Sequence, residues 1–447
     1  MGNRNKFDLL LMIKFFKKLP KIIKKPNIIL YRIIDRLHLK IIYFLIYLRF
    51  VSYEKVLYKI FFYRNKKKFH KLLKNYIYTV MKVRRDIDFY CDKNDFLIEL
   101  LKTISINKLS KKSADNLLYL SRCMYGIGFF RFSYIIRMLS IQQLTLDKKR
   151  IKDLPSTVII ELTLLSTDDV AGLKQYTFFQ QSFFNLIIQI KDSTPNILNL
   201  INLISLNHRT LEQKNLSYIS KENLNFFLVG PSMRSTDKKP IGTNNKIVRI
   251  GYHGQNDSTS LNSYATNVSF YKNFKLASLQ SNQIKTIFSE LEIIIVSNLS
   301  KETSSKIYDK SNLVNSCCAN PIIYGGDELN GGVECILNLL LLFEGSKVTV
   351  TNMDLFMNKK YPLGYTVNGY NTKVKGDGWS MSDEDICWAN AVNHSQAFQF
   401  NLLKNLWMKN YIYPDGFLEF VLNRSIISYF SELEKLYNPL KDLRSEL

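Results

Sequence analysis

The sequence predicts an α/β protein: a Rossmann-like parallel-sheet domain, preceded by an α-helical region and by basic amphipathic helices at the amino terminus. Three observations predict it. Short, continuous apolar runs alternate with helical stretches in the carboxy-terminal half. The middle third is poor in Gly and Pro and carries apolar residues at helical spacing. The net charge of +24 is concentrated at the start of the 447-residue chain. Apolar content of 46% and aromatic content of 13% suit a globular protein and exclude wholesale disorder. Only 10 Pro and 18 Gly exclude collagen-like and low-complexity classes. At about 100–200 residues per domain the length suits two to four units; three are read, at 1–75, 76–222 and 223–447.

Residues 1–75 hold 20 Lys/Arg against three acids (Asp8, Asp35 and Glu54), while the rest holds 42 against 35. The arm is not a simple tail. Leu9, Leu10, Ile13, Phe16, Ile22, Ile23, Ile33, Ile34 and Leu37 recur at roughly helical spacing, with Lys14, Lys17, Lys21, Arg32 and Arg36 between them. Pro20 and Pro26 divide this into short helices. The uncharged run at 41–48 is too short to span a bilayer, which takes about 20 residues. No stretch has the form of a secretory signal. Such helices suit the face of an anionic membrane, each near-surface cation adding about 1 kcal/mol of attraction. The apolar face could instead pack on the protein's own body. Nucleic acid is not expected as a partner, because nothing later resembles a groove-reading or base-stacking module. Six cysteines without a CxxC pair fit neither a disulfide scaffold nor a zinc module and suit a reducing compartment.

Residues 76–222 read as helix pairs. Ala114, Leu117, Leu118, Leu120, Cys123 and Met124 form one stripe, and Phe130, Tyr134, Ile135 and Met138 a second. Gly126-Ile127-Gly128 lies between, so residues 113–139 predict a helical hairpin. Helical runs follow at 158–165, 173–190 and 197–206. His38, His70 and His208 have no neighbour at metal-ligand spacing.

The second half predicts strands at 224–229, 246–251, 267–271, 292–297 and 347–352, with helices at 276–290, 331–343 and 386–407. Parallel sheets of this kind bind ligands beyond the strand carboxyl ends, at the switch in strand order. The residues just after each strand are therefore the informative ones. Gly230-Pro231-Ser232 follows the first strand; its glycine permits close approach and its serine can cap a helix or bind phosphate. Asn330-Gly331-Gly332 opens an apolar helix whose bare amides can hold an anion, or it is a plain helix start. Asp354 ends Thr351-Asn352-Met353-Asp354 at the same edge, to bind a ribose or sugar hydroxyl or to cap the next turn. Residues 357–384 are rich in Gly, Tyr, Asn and Asp and suit a lid or binding loop. Asp383 and Asp385 have the spacing of a metal-binding pair, but acids also favour a helix start. His394, placed within the 386–407 helix, has an ordinary pKa near 6.5 and can take a proton from a hydroxyl near neutral pH.

The order of these pieces resembles the sialyltransferase-like glycosyltransferases of bacterial surface-polysaccharide clusters. The resemblance covers roughly residues 222–420 and is carried by Phe226-Phe227-Leu228-Val229-Gly230-Pro231-Ser232, the strand around Arg249, Asn330-Gly331-Gly332, Thr351-Asn352-Met353-Asp354, and His394 followed by Gln399-Phe400. It implies an α/β fold and transfer of a sialic acid-like sugar from a CMP-linked donor, a substrate rather than a cofactor. The acceptor would be a lipid-linked or surface-polysaccharide glycan. It implies that Gly230, Pro231 and Ser232 hold the nucleotide, that Asn330, Gly331 and Gly332 meet its phosphate or cytidine, and that His394 acts on the acceptor hydroxyl or donor phosphate. Animal members have an Asn-Gly step in the first loop and a disulfide between the motifs; this chain has Val-Gly-Pro-Ser and no evident pairing. The expected mechanism is a single inverting displacement without metal, with helix amides and Arg249 or His253 stabilising the leaving phosphate. The expected location is peripheral, at the cytoplasmic face of the inner membrane. Two other readings stand beside this one: a metal-dependent transferase of a nucleotide-diphosphate sugar using Asp383 and Asp385, and a non-catalytic membrane adaptor of a polysaccharide assembly complex.

Overall fold

The computed structural model describes residues 130–146, 151–206 (Pro195 apart), 224–230, 245–252, 266–305 (278 and 298 apart), 313–315, 322–324, 329–357, 366–367, 370–371 and 394–436, with residues 114, 117, 118, 121, 125 and 307. The basic amino-terminal helices, Pro231, Ser232, His253, Asp383 and Asp385 lie outside the described residues.

The helical layer begins with α1 (Phe130–Leu146), followed by a short 3₁₀ turn at Ile151–Asp153. It continues through α2 (Ser156–Thr163), α3 (Thr167–Leu173), α4 (Gln181–Ser193) and α5 (Ile197–Leu206). The hairpin expected around Gly126–Gly128 is visible in its side-chain bonds. The Ser121 hydroxyl donates to Ser133 O at 2.8 Å and the Ser133 hydroxyl to Ser121 O at 2.7 Å. Ser140 donates to Ala114 O at 2.6 Å. Both pairs are symmetric about position 127, as an antiparallel arrangement of the two segments requires. The helix expected over 173–190 begins only at Gln181. Residues 174–180 turn instead, and Tyr176, Phe178 and Phe179 pack as an aromatic cluster that mimics helical periodicity.

The second half builds β1 (Asn225–Val229), β2 (Asn245–Ile250), β3 (Val268–Lys272), α6 (Asn273–Ala277), α7 (Ser281–Glu290), β4 (Ile293–Ser297), α8 (Lys301–Ser305), β5 (Leu313–Asn315), α9 (Gly331–Leu342), β6 (Lys347–Thr351), β7 (Thr366–Val367), β8 (Tyr370–Asn371), α10 (Gln396–Met408), β9 (Ile412–Pro414), α11 (Gly416–Leu422) and α12 (Ile426–Leu436). Seven strands form one sheet in the order β5-β4-β3-β2-β1-β6-β9, and every neighbouring pair is parallel. The chain lays down β1 to β5 in one direction, then returns through α9 to place β6 on the other side of β1. The switch in strand order therefore falls between β1 and β6. β7 and β8 form a separate antiparallel pair. The run expected as one helix over 276–290 breaks at Gln280, whose side chain and that of Gln283 cap the start of α7 reciprocally.

Strand alternation sorts the sheet into two faces. Phe226, Leu228, Val248, Val268, Phe270, Ile295, Val348 and Val350 join one large apolar cluster with α9, α10, α12 and the helical layer. Ile284 and Ile287 of α7 pack with Tyr271, Ile294 and Val296 on the other face. The first cluster runs from Leu117 to Leu433, so the helical layer and the sheet share a continuous core. Arg137 of α1 makes a buried, two-pronged ion pair with Glu161 of α2 (2.5 and 2.8 Å) and also donates to Tyr324 O, which saturates a charge that burial would otherwise penalise heavily. Among the described residues no helix is long and apolar enough to cross a membrane.

Candidate functional site

The carboxyl ends of β1 and β6 meet at a glycine. Gly230 N donates to Thr351 O at 2.8 Å, joining the two strand ends. A Cβ at position 230 would press on Asn352 O and stand 2.7 Å from Met353 Cγ and 2.8 Å from Asn352 C. Only glycine admits that approach. From there the chain enters an unusual turn. Asn352, Leu355 and Phe356 all adopt left-handed backbone conformations, with φ of 56°, 48° and 66°. Such residues cluster where surrounding structure over-determines them, at functional sites above all. Asp415, the N-cap of α11, fixes the turn from below. Its Oδ2 accepts from Asn352 N (2.7 Å) and from the Thr351 hydroxyl (3.1 Å), and its Oδ1 from Leu418 N (2.9 Å).

The amino end of α9 arrives at the same edge. Because α9 runs back across the sheet from the β5 side to β6, its first turn lies over the strand carboxyl ends. A Cβ on Gly332 would lie 3.0 Å from Met353 Cε, and one on Gly331 would lie 3.4 Å from Ile250 Cγ2 at the end of β2. The first turn can be audited amide by amide. Val333 N is capped by Asn330 Oδ1 at 2.9 Å, and Glu334 N makes the first helical bond, to Asn330 O, at 3.0 Å. Asn330 N donates to Gln399 Oε1 at 2.9 Å. The amides of Gly331 and Gly332 have no acceptor among the described residues. They carry the positive end of the helix dipole.

His394 does not lie within a helix, as the sequence reading had it. It makes an isolated β-bridge two residues before α10, which opens at Gln396. The boundary is set by Tyr125, whose hydroxyl donates to His394 O (2.9 Å) and accepts from Gln396 N (3.1 Å). That hydroxyl replaces the side-chain cap that Ser395 does not supply. The half-buried His394 ring stacks on Phe356, with centroids 6.5 Å apart and planes at 24°. His394 therefore faces the left-handed turn, two residues beyond Asp354. Asp354 Oδ1 accepts from Phe356 N at 3.0 Å and so caps its own turn. Tyr429 of α12 donates to Leu355 O at 2.7 Å. Burial pushes the Tyr429 hydroxyl pKa well up, and the nearby Tyr125 and Asp354 push it further.

The structure thus brings Gly230, Asn330, Gly331, Gly332, Asp354 and His394 to one edge of the sheet, at its switch point. Arg249 stands level with Val229 and Thr351 at the same carboxyl edge, but on the face it shares with Phe227, Val229 and Ile247. Ile250, the next residue, is the one that touches Gly331. The sheet therefore separates the Arg249 side chain from α9, because successive side chains point to opposite faces. Sequence reasoning missed Tyr125, Asn352, Asp415 and the cluster beside α9. In that cluster the buried Glu334 carboxylate accepts from the Ser297 hydroxyl at 2.5 Å, with Lys272 Nζ 3.9 Å away. Lys272 and Ser297 are the last residues of β3 and β4, so the rule that directs attention past strand ends could have found them. Among the described residues no group of acids, His and Cys could hold a metal ion.

No family model matches the sequence, and no curated protein or solved structure matches it.

Proposed function

We propose that the protein is a glycosyltransferase of the sialyltransferase-like kind, transferring a sialic acid-like sugar from a CMP-linked donor to a lipid-linked or surface-polysaccharide acceptor. The observation that carries this reading is the shared sheet edge at the β1–β6 switch. There, two helix-terminal amides with no acceptor among the described residues, the glycine that lets the ends of β1 and β6 meet, and a histidine converge. The amides suit the phosphate of a nucleotide. On this reading His394 takes the proton of the acceptor hydroxyl as the new glycosidic oxygen–carbon bond forms. The nucleotide phosphate leaves with the bonding pair, and the Gly331 and Gly332 amides stabilise its charge without metal. Asp354 meets a ribose or sugar hydroxyl. Pro231 and Ser232 extend the nucleotide site by the resemblance alone. The basic arm holds the enzyme peripherally at the cytoplasmic face of the inner membrane, where lipid-linked acceptors are reached.

The test is a binding screen of CMP, UDP and GDP with and without Mg²⁺, followed by transfer assays on His394→Ala. CMP binding indifferent to EDTA, with turnover reduced at least about 100-fold in the folded variant, is expected. Near-normal turnover removes His394 from the reaction. A strict Mg²⁺ requirement with UDP or GDP replaces this donor class by a nucleotide-diphosphate sugar.

A further inference from the structure

Gln399 is out of place by composition. It is fully buried in α10 among Phe398, Phe400, Leu402 and Leu403, where an apolar residue would pack as well. One end of its carboxamide has a partner: Oε1 accepts from Asn330 N at 2.9 Å. A backbone amide can only donate, so the oxygen must face it, and the orientation of the group is fixed. The other end, Nε2, is buried and has no hydrogen-bond partner among the described residues. Because Oε1 is bonded to the N-cap residue of α9, that donor lies at the helix end that carries the amides of Gly331 and Gly332, which have no acceptor among the described residues. Lys272 Nζ donates to Leu329 O at 3.3 Å, one residue before that cap, and adds a cation at the same helix end. The one carboxylate of the first turn, Glu334, is directed to Ser297 and Lys272.

We infer that Gln399 Nε2 is a third donor, with the amides of Gly331 and Gly332, of a subsite for a tetrahedral phosphoryl group. This rests on the nucleotide reading above for the ligand's identity, and on the three donors for its chemistry. Three N–H groups supplied by one helix end and one fixed carboxamide match three oxygens of an anion and bind it more strongly than the oxygens of a neutral hydroxyl-rich ligand. The ligand satisfies a buried donor that otherwise stays unpaired.

The experiment uses the full chain, with inorganic phosphate, CMP and cytidine as probes in calorimetry and in ligand-induced Tm shift. Gln399→Glu keeps an acceptor for Asn330 N and replaces the donor with an acceptor; Gln399→Met removes both ends. Each variant is compared with its own ligand-free Tm, so lost baseline stability does not imitate lost binding. Wild type is expected to bind CMP more tightly than cytidine, with phosphate competing. Both variants should weaken phosphate and CMP by at least about tenfold, leaving cytidine unchanged. CMP bound equally by wild type and variants overturns the role of Gln399 and leaves the transferase reading intact. Phosphate bound by wild type and lost in the variants, with no nucleotide bound, upholds the subsite and removes the transferase reading. A wild type that binds neither removes both.

Discussion

Alanine at each of four glycines gives a graded test of how β1, β6 and α9 meet. At Gly230 the new Cβ would meet Met353 Cγ and Asn352 C at 2.7 and 2.8 Å, where real Cβ atoms essentially never come within 3.0 Å. Backbone cannot yield as a side chain does, and here it is pinned twice. Gly230 N is bonded to Thr351 O and Asn352 N to Asp415 Oδ2. The strand ends must part, at a cost of about 2–3 kcal/mol. In a folded body of this size that lowers Tm by about 5–10 °C. At Gly332 the contacts at 3.0 and 3.1 Å are to the end of the Met353 side chain, which can turn aside, so the loss should be smaller. At Gly331 the nearest atom is 3.4 Å away, an ordinary contact, and Ala should be tolerated. At Gly172, in α3, nothing lies within 4 Å, and Ala should stabilise by about 0.5–1 kcal/mol through helix propensity. Urea unfolding of the four variants, with CMP affinity measured on each, reads the series. Gly230→Ala as stable as wild type, or Gly172→Ala less stable than Gly331→Ala, would refute the reasoning.

Three further outcomes are expected. Tyr125→Phe deletes the hydroxyl shared by His394 O and Gln396 N, costing about 1–2 kcal/mol; on the transferase reading it lowers kcat with CMP affinity unchanged, and a Kd that rises with kcat constant contradicts that. Asp415→Ala removes two bonds that tie the start of α11 to the end of β6 and one that caps α11, and should cost about 3 kcal/mol, with Asp415→Asn recovering part of it in urea unfolding. Burial raises the pKa of Tyr134 and Tyr429 well above the ordinary 10.0. Below that value both states are protonated and nothing is lost. Above it the unfolded chain ionises first, so stability should fall by up to about 1.4 kcal/mol per pH unit per tyrosine. Tyr134→Phe should flatten the alkaline side of a Tm-against-pH curve, and an unaltered slope would count against it.

The parallel sheet was legible because β1 and β4 are almost wholly apolar and β2 and β6 are short runs rich in Val and Ile, as strands covered by helices must be. β5 and β9 escaped notice for a physical reason. Each has three residues and lies at a sheet edge, and β9 ends in Pro, so neither carries enough pattern to separate it from a loop. The glycine step at 230 was legible because close backbone approach demands that residue type. Tyr125 and Gln399 were not, because their roles depend on atoms far away in sequence. A tyrosine on a helical stripe and a glutamine between two phenylalanines give no local sign that one caps α10 and the other reaches the cap of α9. The start of α10 shows the same limit. His394 and Ser395 sit in a stretch of helical composition, yet the start of α10 at Gln396 is drawn by a hydroxyl 271 positions away.

That distance bears on what the helical layer does. The turn at 352–356 holds two apolar residues in left-handed backbone conformations, and each such residue costs about 1–2 kcal/mol unless its surroundings impose it. Tyr429 imposes it at Leu355, from α12. α12 is in turn held by the layer: Arg131 binds Glu434 through backbone and side chain at 2.9 and 2.5 Å, and Asp169 of α3 caps Ile426 N at 3.1 Å. Tyr125 fixes the opposite wall at His394 and Gln396. Both walls of the crevice are therefore tied to the helical layer, the 352–356 turn through α12 and the His394 wall directly through Tyr125. The spacing of His394 from Phe356 follows from that common anchorage. A shift of α1 against the sheet would alter that spacing before it disturbed any strand. The helical layer sets the geometry of the crevice, and the sheet supplies the edge on which it stands.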